Sequence, residues 1–244
     1  MHNNIKAILF DVGNTLIYFD GVKENMRAQA IDAMVTCLKC WGLDLDKAKL
    51  SHDFRTRQDA YYRQREIDHV ERTRASILRE TLATHGFPNV RENILRDALD
   101  AMLDVMKGFW TPDTEASSLL ETLRLRGLRL GILSNTPDDA EVQVLVDKGQ
   151  IRSYFDFVIS SASCGVRKPD PRIFNIALSR WQIAPQHVAM VGDSLEEDIQ
   201  GGNQAGLFTI WISRWAQMDQ PAKGNIIPDA TIKALTELEN VLPF

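Results

Sequence analysis

The sequence predicts an α/β protein: a Rossmann-like parallel sheet with a bundle of α-helices inserted after its first strand. Three observations lead to that architecture. Residues 5–10, IKAILF, are a short apolar run of the kind that makes a parallel strand buried on both faces. Residues 21–108 carry the apolar spacing of helices and no convincing strand. Beyond Thr111–Pro112, strand-length apolar runs alternate with helical stretches, and such alternation builds a parallel sheet flanked by helices. The first strand alone could bury neither face, so it belongs to the later sheet. The helical block is then an insertion. The expected domains are an α/β core of residues 1–17 with 108–244 and a helical domain of residues 18–107. Gly21 and Gly108 lie near the two crossings, where a permissive backbone suits hinges.

Within the insertion, Ala28, Ile31, Met34 and Val35 recur at helical spacing, as do Leu78 with Leu82, and Leu95 with Leu99 and Met102. Breaks near Gly42, at Ile67–Asp68 and across His85–Gly86–Phe87–Pro88 divide the block into about four helices. In the core, residues 119–126, 138–148 and 172–181 read as helices, each leading to a strand at 128–133, 155–160 and 187–191 respectively. Residues 195–205 read as a further helix before a strand at 207–212. The tail adds one more strand and helix, with Trp211 and Trp215 as packing residues. The turns carry helix-start chemistry: Thr136–Pro137 with Asp139, Asp170–Pro171, and Ser194 with Glu197 in a capping-box pattern.

A chain of 244 residues, 44% hydrophobic and 25% charged, can bury a sizeable core. Its net charge of −5 disfavours nucleic acid and anionic membranes as partners. No apolar run is long enough to span a bilayer, and the amino terminus meets Asp11 too early for a signal-peptide core, so a cytoplasmic protein is expected. The CLKC run of Cys37 and Cys40 has redox or metal spacing, yet it lies in a helical stretch with no second CxxC or histidine pair. These cysteines and Cys164 therefore read as structural thiols. Nothing in the composition bears on oligomeric state.

Open parallel sheets bind ligands at the carboxyl ends of their strands. The residues just past each strand are therefore the place to look for chemistry. DVGNTL follows the first and supplies Asp11; SNTPDD follows the second and supplies Ser134 and Asn135. SASCGVRKPDP follows the third and supplies Lys168; GDSLEEDIQGG follows the fourth and supplies Asp193 and Asp198. Nearly every strand thus ends in a group that can attack, ligate a metal or grip a phosphate. Helix amino termini behind these turns add favourable potential for an anion.

On these residues the chain resembles the haloacid dehalogenase superfamily. The carriers are a first-strand DxxxT (Asp11, Thr15), a second-strand Ser134, Lys168 in GVRKPDP, and GDSxxxD (Asp193, Asp198), in that order. The helical insertion follows the first motif, where that family places its cap. The resemblance covers most of residues 5–16 and 108–212. It implies a phosphatase-like hydrolase acting on a small phosphorylated metabolite through an aspartyl-phosphate on Asp11. It further implies magnesium held by Asp11, the main-chain carbonyl of Gly13, and Asp193, with Asp198 ligating through water or holding Lys168. Ser134, Asn135 and Lys168 are implied as the groups that bind the phosphoryl oxygens, Ser134 and Lys168 also acting in catalysis. Charge counting agrees with a metal: three carboxylates face one ammonium, and a divalent cation restores balance.

The chain departs from that pattern at one position. Phosphatases of the family carry a second Asp two residues after the nucleophile, as general acid and then base, and here that residue is Gly13. Losing such a group costs ~10²–10⁴ in rate when the leaving group is poor. Either a residue of the helical domain or water supplies the proton, or the leaving group needs none, as with an acyl phosphate, or turnover has been given up. Arg63, Arg65, His69 and Arg72 are candidates on the helical domain, against a reading of their stretch as a solvated face with intrahelical ion pairs. Two other functions stand beside the phosphatase: a dehalogenase- or phosphonatase-like hydrolase, and a phosphoryl-binding protein without turnover.

Overall fold

The computed structural model describes residues 4–214 and 226–243, so Trp215 lies outside the described residues. By its contacts the chain forms two units, Met1–Phe19 with Thr111–Phe244, and Asp20–Trp110.

The first unit begins with β1 (Ala7–Phe10), whose four residues are fully buried, followed by β2 (Ile17–Phe19). After the second unit come β3 (Trp110–Pro112), α5 (Ala116–Leu125), β4 (Arg129–Ser134), α6 (Asp139–Lys148), β5 (Phe157–Ser160), the short α7 (Ser161–Cys164) and α8 (Pro171–Ser179). The chain continues with β6 (Val188–Gly192), α9 (Gly201–Gln204), β7 (Phe208–Ile212), β8 (Ala230–Ile232) and α10 (Leu238–Val241). β2 and β3 pair as a separate two-stranded ribbon, and the other six strands form one sheet in the order β5-β4-β1-β6-β7-β8. Every neighbouring pair in that sheet is parallel. Counted along the chain, this is the doubly wound order in which the first strand sits at the centre and the winding reverses beside it. The expected α/β core is thus present, with β8 and α10 as the strand and helix of the tail.

The apolar pattern explains the layers. α8 buries Ile173, Phe174, Ala177 and Leu178, one stripe at helical spacing, against Ala7, Leu9, Val188 and Met190 of the sheet. Each such side chain contributes roughly 1.5–3 kcal/mol by leaving water. Asp170 caps α8 by accepting from the Arg172 N–H at 2.8 Å, with Pro171 in the first turn, as the sequence suggests. At α6 the cap lies two residues later than the sequence suggests. Asp138 accepts from the Ala140 N–H at 3.2 Å, while the Thr136 hydroxyl turns to Glu141 at 2.9 Å. Residues 195–205, expected as one helix, are a π-helical turn over Leu195–Gln200 and then α9. The contacts Asp198 makes from this wider turn are described with the site below.

The second unit is helical: α1 (Lys23–Cys40), α2 (Lys47–Asp68), α3 (Arg74–Thr84) and α4 (Glu92–Met106). α1 and α4 are the principal packing pair. Ala30, Ile31, Met34, Val35 and Leu38 of α1 meet Leu95, Ala98, Leu99 and Met102 of α4 in one buried cluster. α2 ends at His69, which takes the left-handed conformation with φ 53°. Among the described residues no helix is long and apolar enough to cross a membrane.

Candidate active site

The register of three central strands brings the chemistry together. Phe10 lies opposite both Ile132 and Val191, so β1, β4 and β6 finish within two residues of one another at one edge of the sheet. Asp11, Ser134 and Asp193 lie within two residues of those pairs. Their convergence is a consequence of parallel pairing, which aligns strand ends that are remote in sequence.

After β1 the chain turns at once. The Asp11 N–H donates to the Val191 carbonyl at 2.9 Å, and the Val12 carbonyl accepts from Leu16 and Ile17, both at 3.0 Å. Asn14 takes the left-handed conformation, φ 53°, which asparagine tolerates. Its side-chain oxygen accepts from the Phe19 N–H at 3.2 Å, so the carboxamide belongs to the turn. Thr15, 2% exposed, keeps its hydroxyl without a partner among the described residues.

Lys168 is the hub. Its side chain is 1% exposed, and Nζ donates to Asp11 Oδ1 at 2.8 Å, to Asp198 Oδ1 at 2.6 Å and to the Leu133 carbonyl at 2.8 Å. All three ammonium protons are therefore engaged. Burial alone would depress the Lys168 pKa, but Asp11, Asp198 and Glu197 outweigh it and hold the group protonated, above its ordinary range. The Ser134 hydroxyl donates to the same Asp11 Oδ1 at 3.0 Å. One oxygen of Asp11 is thus held from two sides, and the other accepts from none of the described residues.

Asn135, expected at the phosphoryl group, has its amide on the main chain of Lys168: Nδ2 donates to the Lys168 carbonyl and Oδ1 accepts the Lys168 N–H, both at 2.9 Å. This two-point clasp fixes the backbone from which the ammonium extends.

Asp198 owes its position to the π-helical turn. Its Oδ2 accepts from the Ser194 N–H at 3.0 Å while Oδ1 meets Lys168. The side chain also fills the space above Gly192, where an added Cβ would fall 2.2 Å from the Asp198 carboxyl carbon. A regular helical turn would carry the carboxylate elsewhere; widened turns of this kind are frequent at functional sites. Ser194 Oγ accepts from the Glu197 N–H at 3.1 Å, which is half of a capping box. The other half is absent because Glu197 turns to the buried Arg167 instead.

Asp193 completes the cluster. One ligating oxygen from each of Asp11, Asp193 and Asp198 lies within 4.8 Å of the others. Burial, then Asp11 and Asp198, push the Asp193 carboxyl well above the ordinary range, and burial raises Asp198 to about 7 despite Lys168. Three acidic oxygens around one ammonium are the donor set a hard divalent cation requires, and such a cation relieves the repulsion that raises these pKa values. The carboxylate of Asp193 draws no hydrogen bond from the described residues, leaving its oxygens open to ligate. Its main-chain carbonyl, by contrast, accepts from the Trp211 indole N–H at 2.9 Å.

Asp11, Ser134, Asn135, Lys168, Asp193 and Asp198 therefore gather at one sheet edge, with Gly13 in the adjoining turn. Arg167 and Trp211 are support that sequence reasoning passes over. Arg167 neighbours a motif lysine, a weak signal, whereas nothing along the chain links Trp211 to Asp193. In the helical unit, the Arg65 guanidinium lies 4.2 Å from the Tyr62 ring centre and Arg72 pairs with Glu80. Arg63 is exposed and His69 closes α2.

Comparison with known proteins gives relatives, a likeness of fold and a family. A phosphoserine phosphatase of Thermus thermophilus is 36% identical over 51% of this chain and 48% of its own length, so the chain matches about half of that relative. A glyceraldehyde 3-phosphate phosphatase of Methanopyrus kandleri is 29% identical over 98% of this chain and 97% of its own. The crystal structure of a 2-haloacid dehalogenase from Pseudomonas syringae superposes with a TM-score of 0.65, at 24% identity over 97% of each chain, which is a likeness of fold. The model of the haloacid dehalogenase-like hydrolases matches residues 5–206, and the chain belongs to that family.

Proposed function

We propose that this protein is a magnesium-dependent phosphatase that hydrolyses a small phosphorylated metabolite through an aspartyl-phosphate on Asp11, with residues 18–107 as its helical cap. The observation that carries the reading is the grip on Asp11: Ser134 and Lys168 both hold Oδ1, and no described residue donates to the second oxygen. A carboxylate so oriented presents one oxygen as a nucleophile. That oxygen attacks phosphorus, the bond to the leaving group breaks, and water then cleaves the phosphoryl–Asp11 bond. The Ser134 hydroxyl and the Lys168 ammonium stabilise the charge that builds on the phosphoryl oxygens. Asn135 serves the substrate through Lys168, whose main chain it clasps. Asp11, the Gly13 carbonyl, Asp193 and Asp198 are the groups that would hold magnesium, which when bound neutralises phosphoryl charge. The free thiols Cys37, Cys40 and Cys164 suit a cytoplasmic setting. The two phosphatases compared above support the substrate class.

The test is hydrolysis of p-nitrophenyl phosphate with magnesium by the wild type and by Asp11→Asn. Turnover that disappears in the variant and on chelation supports the reading. Equal turnover by Asp11→Asn overturns it, and halide release that survives a chelator assigns the site to carbon chemistry instead.

A further inference from the structure

We infer that the substrates are acyl phosphates, whose leaving group departs as a stable carboxylate without a donated proton. This rests on the phosphatase reading above and names its substrate class. Among the described residues at the strand ends, the groups acidic enough to protonate a leaving group are committed elsewhere, and the unpartnered Thr15 hydroxyl is too weak an acid to serve. Ser134 is bound to Asp11, and all three protons of Lys168 are taken by Asp11, Asp198 and the Leu133 carbonyl. Asn135 is clasped to the Lys168 main chain and Asn14 to the Phe19 N–H. Asp138 caps α6, Asp139 accepts from the Ser160 hydroxyl at 2.6 Å, and the Ser194 hydroxyl caps the π-helical turn. Asp11, Asp193 and Asp198 are the nucleophile and the metal cluster. His187, the one histidine among the described core residues, sits at the opposite, amino end of β6, 3.1 Å from the Asn4 carbonyl.

The turn after β1 sharpens the point. Its left-handed residue is Asn14, not Gly13, so the backbone does not need glycine at residue 13. A left-handed backbone therefore does not account for the glycine that stands two residues from the nucleophile. The chain places no side chain in that position. Alkoxide is far too basic to leave unprotonated, and a positioned acid contributes about 10²–10⁴ in rate. A carboxylate leaving group gains nothing from that acid.

The steps balance without one. An Asp11 oxygen bonds to phosphorus as the phosphorus–acyl oxygen bond breaks, and the electron pair leaves with the carboxylate. Water then attacks phosphorus, the bond to Asp11 breaks with its pair returning to the carboxylate, and both water hydrogens end on inorganic phosphate as the dihydrogen form. With no base committed to the second step among the described residues at the strand ends, the aspartyl-phosphate accumulates, so a burst of product precedes steady turnover.

The experiment measures kcat/KM with magnesium for acetyl phosphate, a series of substituted phenyl phosphates and glycerol phosphate. The expected result is a steep decline as leaving-group basicity rises, about 10²–10⁴ between acetyl and glycerol phosphate beyond their difference in an enzyme that protonates the leaving group. Gly13→Asp should raise the glycerol-to-acetyl phosphate ratio of kcat/KM by a similar ~10²–10⁴. Glycerol phosphate turned over as readily as acetyl phosphate by the wild type overturns the inference while leaving the phosphatase reading intact. No turnover of any member overturns both.

Discussion

Replacing Lys168 with methionine keeps most of the side chain's length and removes its charge and all three donors. In the wild type those donors reach Asp198 at 2.6 Å and Asp11 and the Leu133 carbonyl at 2.8 Å each, in a side chain 1% exposed. Breaking a buried ion pair from one side costs about 3–5 kcal/mol, and an unsatisfied carbonyl adds up to about 1–3 kcal/mol. The carboxylates relieve part of this by taking up protons. Asp198 already titrates at about 7 with Lys168 beside it, so without the ammonium it titrates higher. A carboxyl whose folded pKa lies above its unfolded value of about 4 destabilises the fold where it is charged, that is, as pH rises. The loss in Lys168→Met is therefore largest at alkaline pH and shrinks on acidification. In metal-free buffer near pH 8, a loss of about 3–5 kcal/mol lowers Tm by roughly 6–20 °C for a chain of this size. Near pH 5 the gap should close to less than half, and magnesium near pH 8 should recover part of it, because three uncompensated carboxylates bind a divalent ion strongly. Thermal unfolding followed by circular dichroism, with and without magnesium at both pH values, reads all of this. A variant as stable as the wild type near pH 8 without metal would refute the role of Lys168 as counter-charge to the buried carboxylates.

The wild type should itself respond to pH in the same sense. With Asp193 and Asp198 both raised, metal-free stability rises as pH falls through about 7, and magnesium titrations near neutrality release protons, which calorimetry in buffers of different ionisation heat detects. Trp211→Phe keeps the ring and removes the donor to the Asp193 carbonyl; magnesium affinity by calorimetry should weaken about tenfold, with little change in metal-free Tm, and unchanged affinity would make Trp211 a packing residue only. Gly192→Ala sets a methyl 2.2 Å from the Asp198 carboxyl carbon, so Asp198 must leave Lys168 or the Ser194 N–H; a loss of about 1–3 kcal/mol in urea unfolding is expected, and no loss would show the π-helical turn to be adaptable.

Much of the fold is legible along the chain because its signals are local. IKAILF reads as a buried strand without reference to anything distant, and the repeat of Ala28, Ile31, Met34 and Val35 reads as a helix face, of which Ala28 alone lies exposed. The Asp170–Pro171 start of α8 is equally local, and it stands where expected. The errors share a cause. Thr136 has the chemistry of a helix cap, yet its main-chain N–H and carbonyl both pair with the Ser161 hydroxyl on the neighbouring strand end, and Asp138 becomes the cap. Within residues 195–205 the Gly201–Gly202 pair marks where the turn gives way to α9, but nothing local announces a π-helical turn over Leu195–Gln200, where Asp198 meets Lys168, thirty residues away.

The sequence by itself determined which residue types stand at the end of each strand, and so the family and the kind of chemistry available. Local preferences and strand-length periodicity are properties of neighbouring residues, and they survive without a structure. Only the tertiary structure decided who holds whom. Lys168 reaches Asp11 across 157 positions of chain, and Trp211 reaches the Asp193 carbonyl across 18. Parallel pairing sets those distances, and hydrogen bonds with a range of about 3 Å select the partner. Asn135 illustrates the division: its residue type suits a phosphate, and only the placement of β4 beside the Lys168 loop shows that its amide also clasps that backbone.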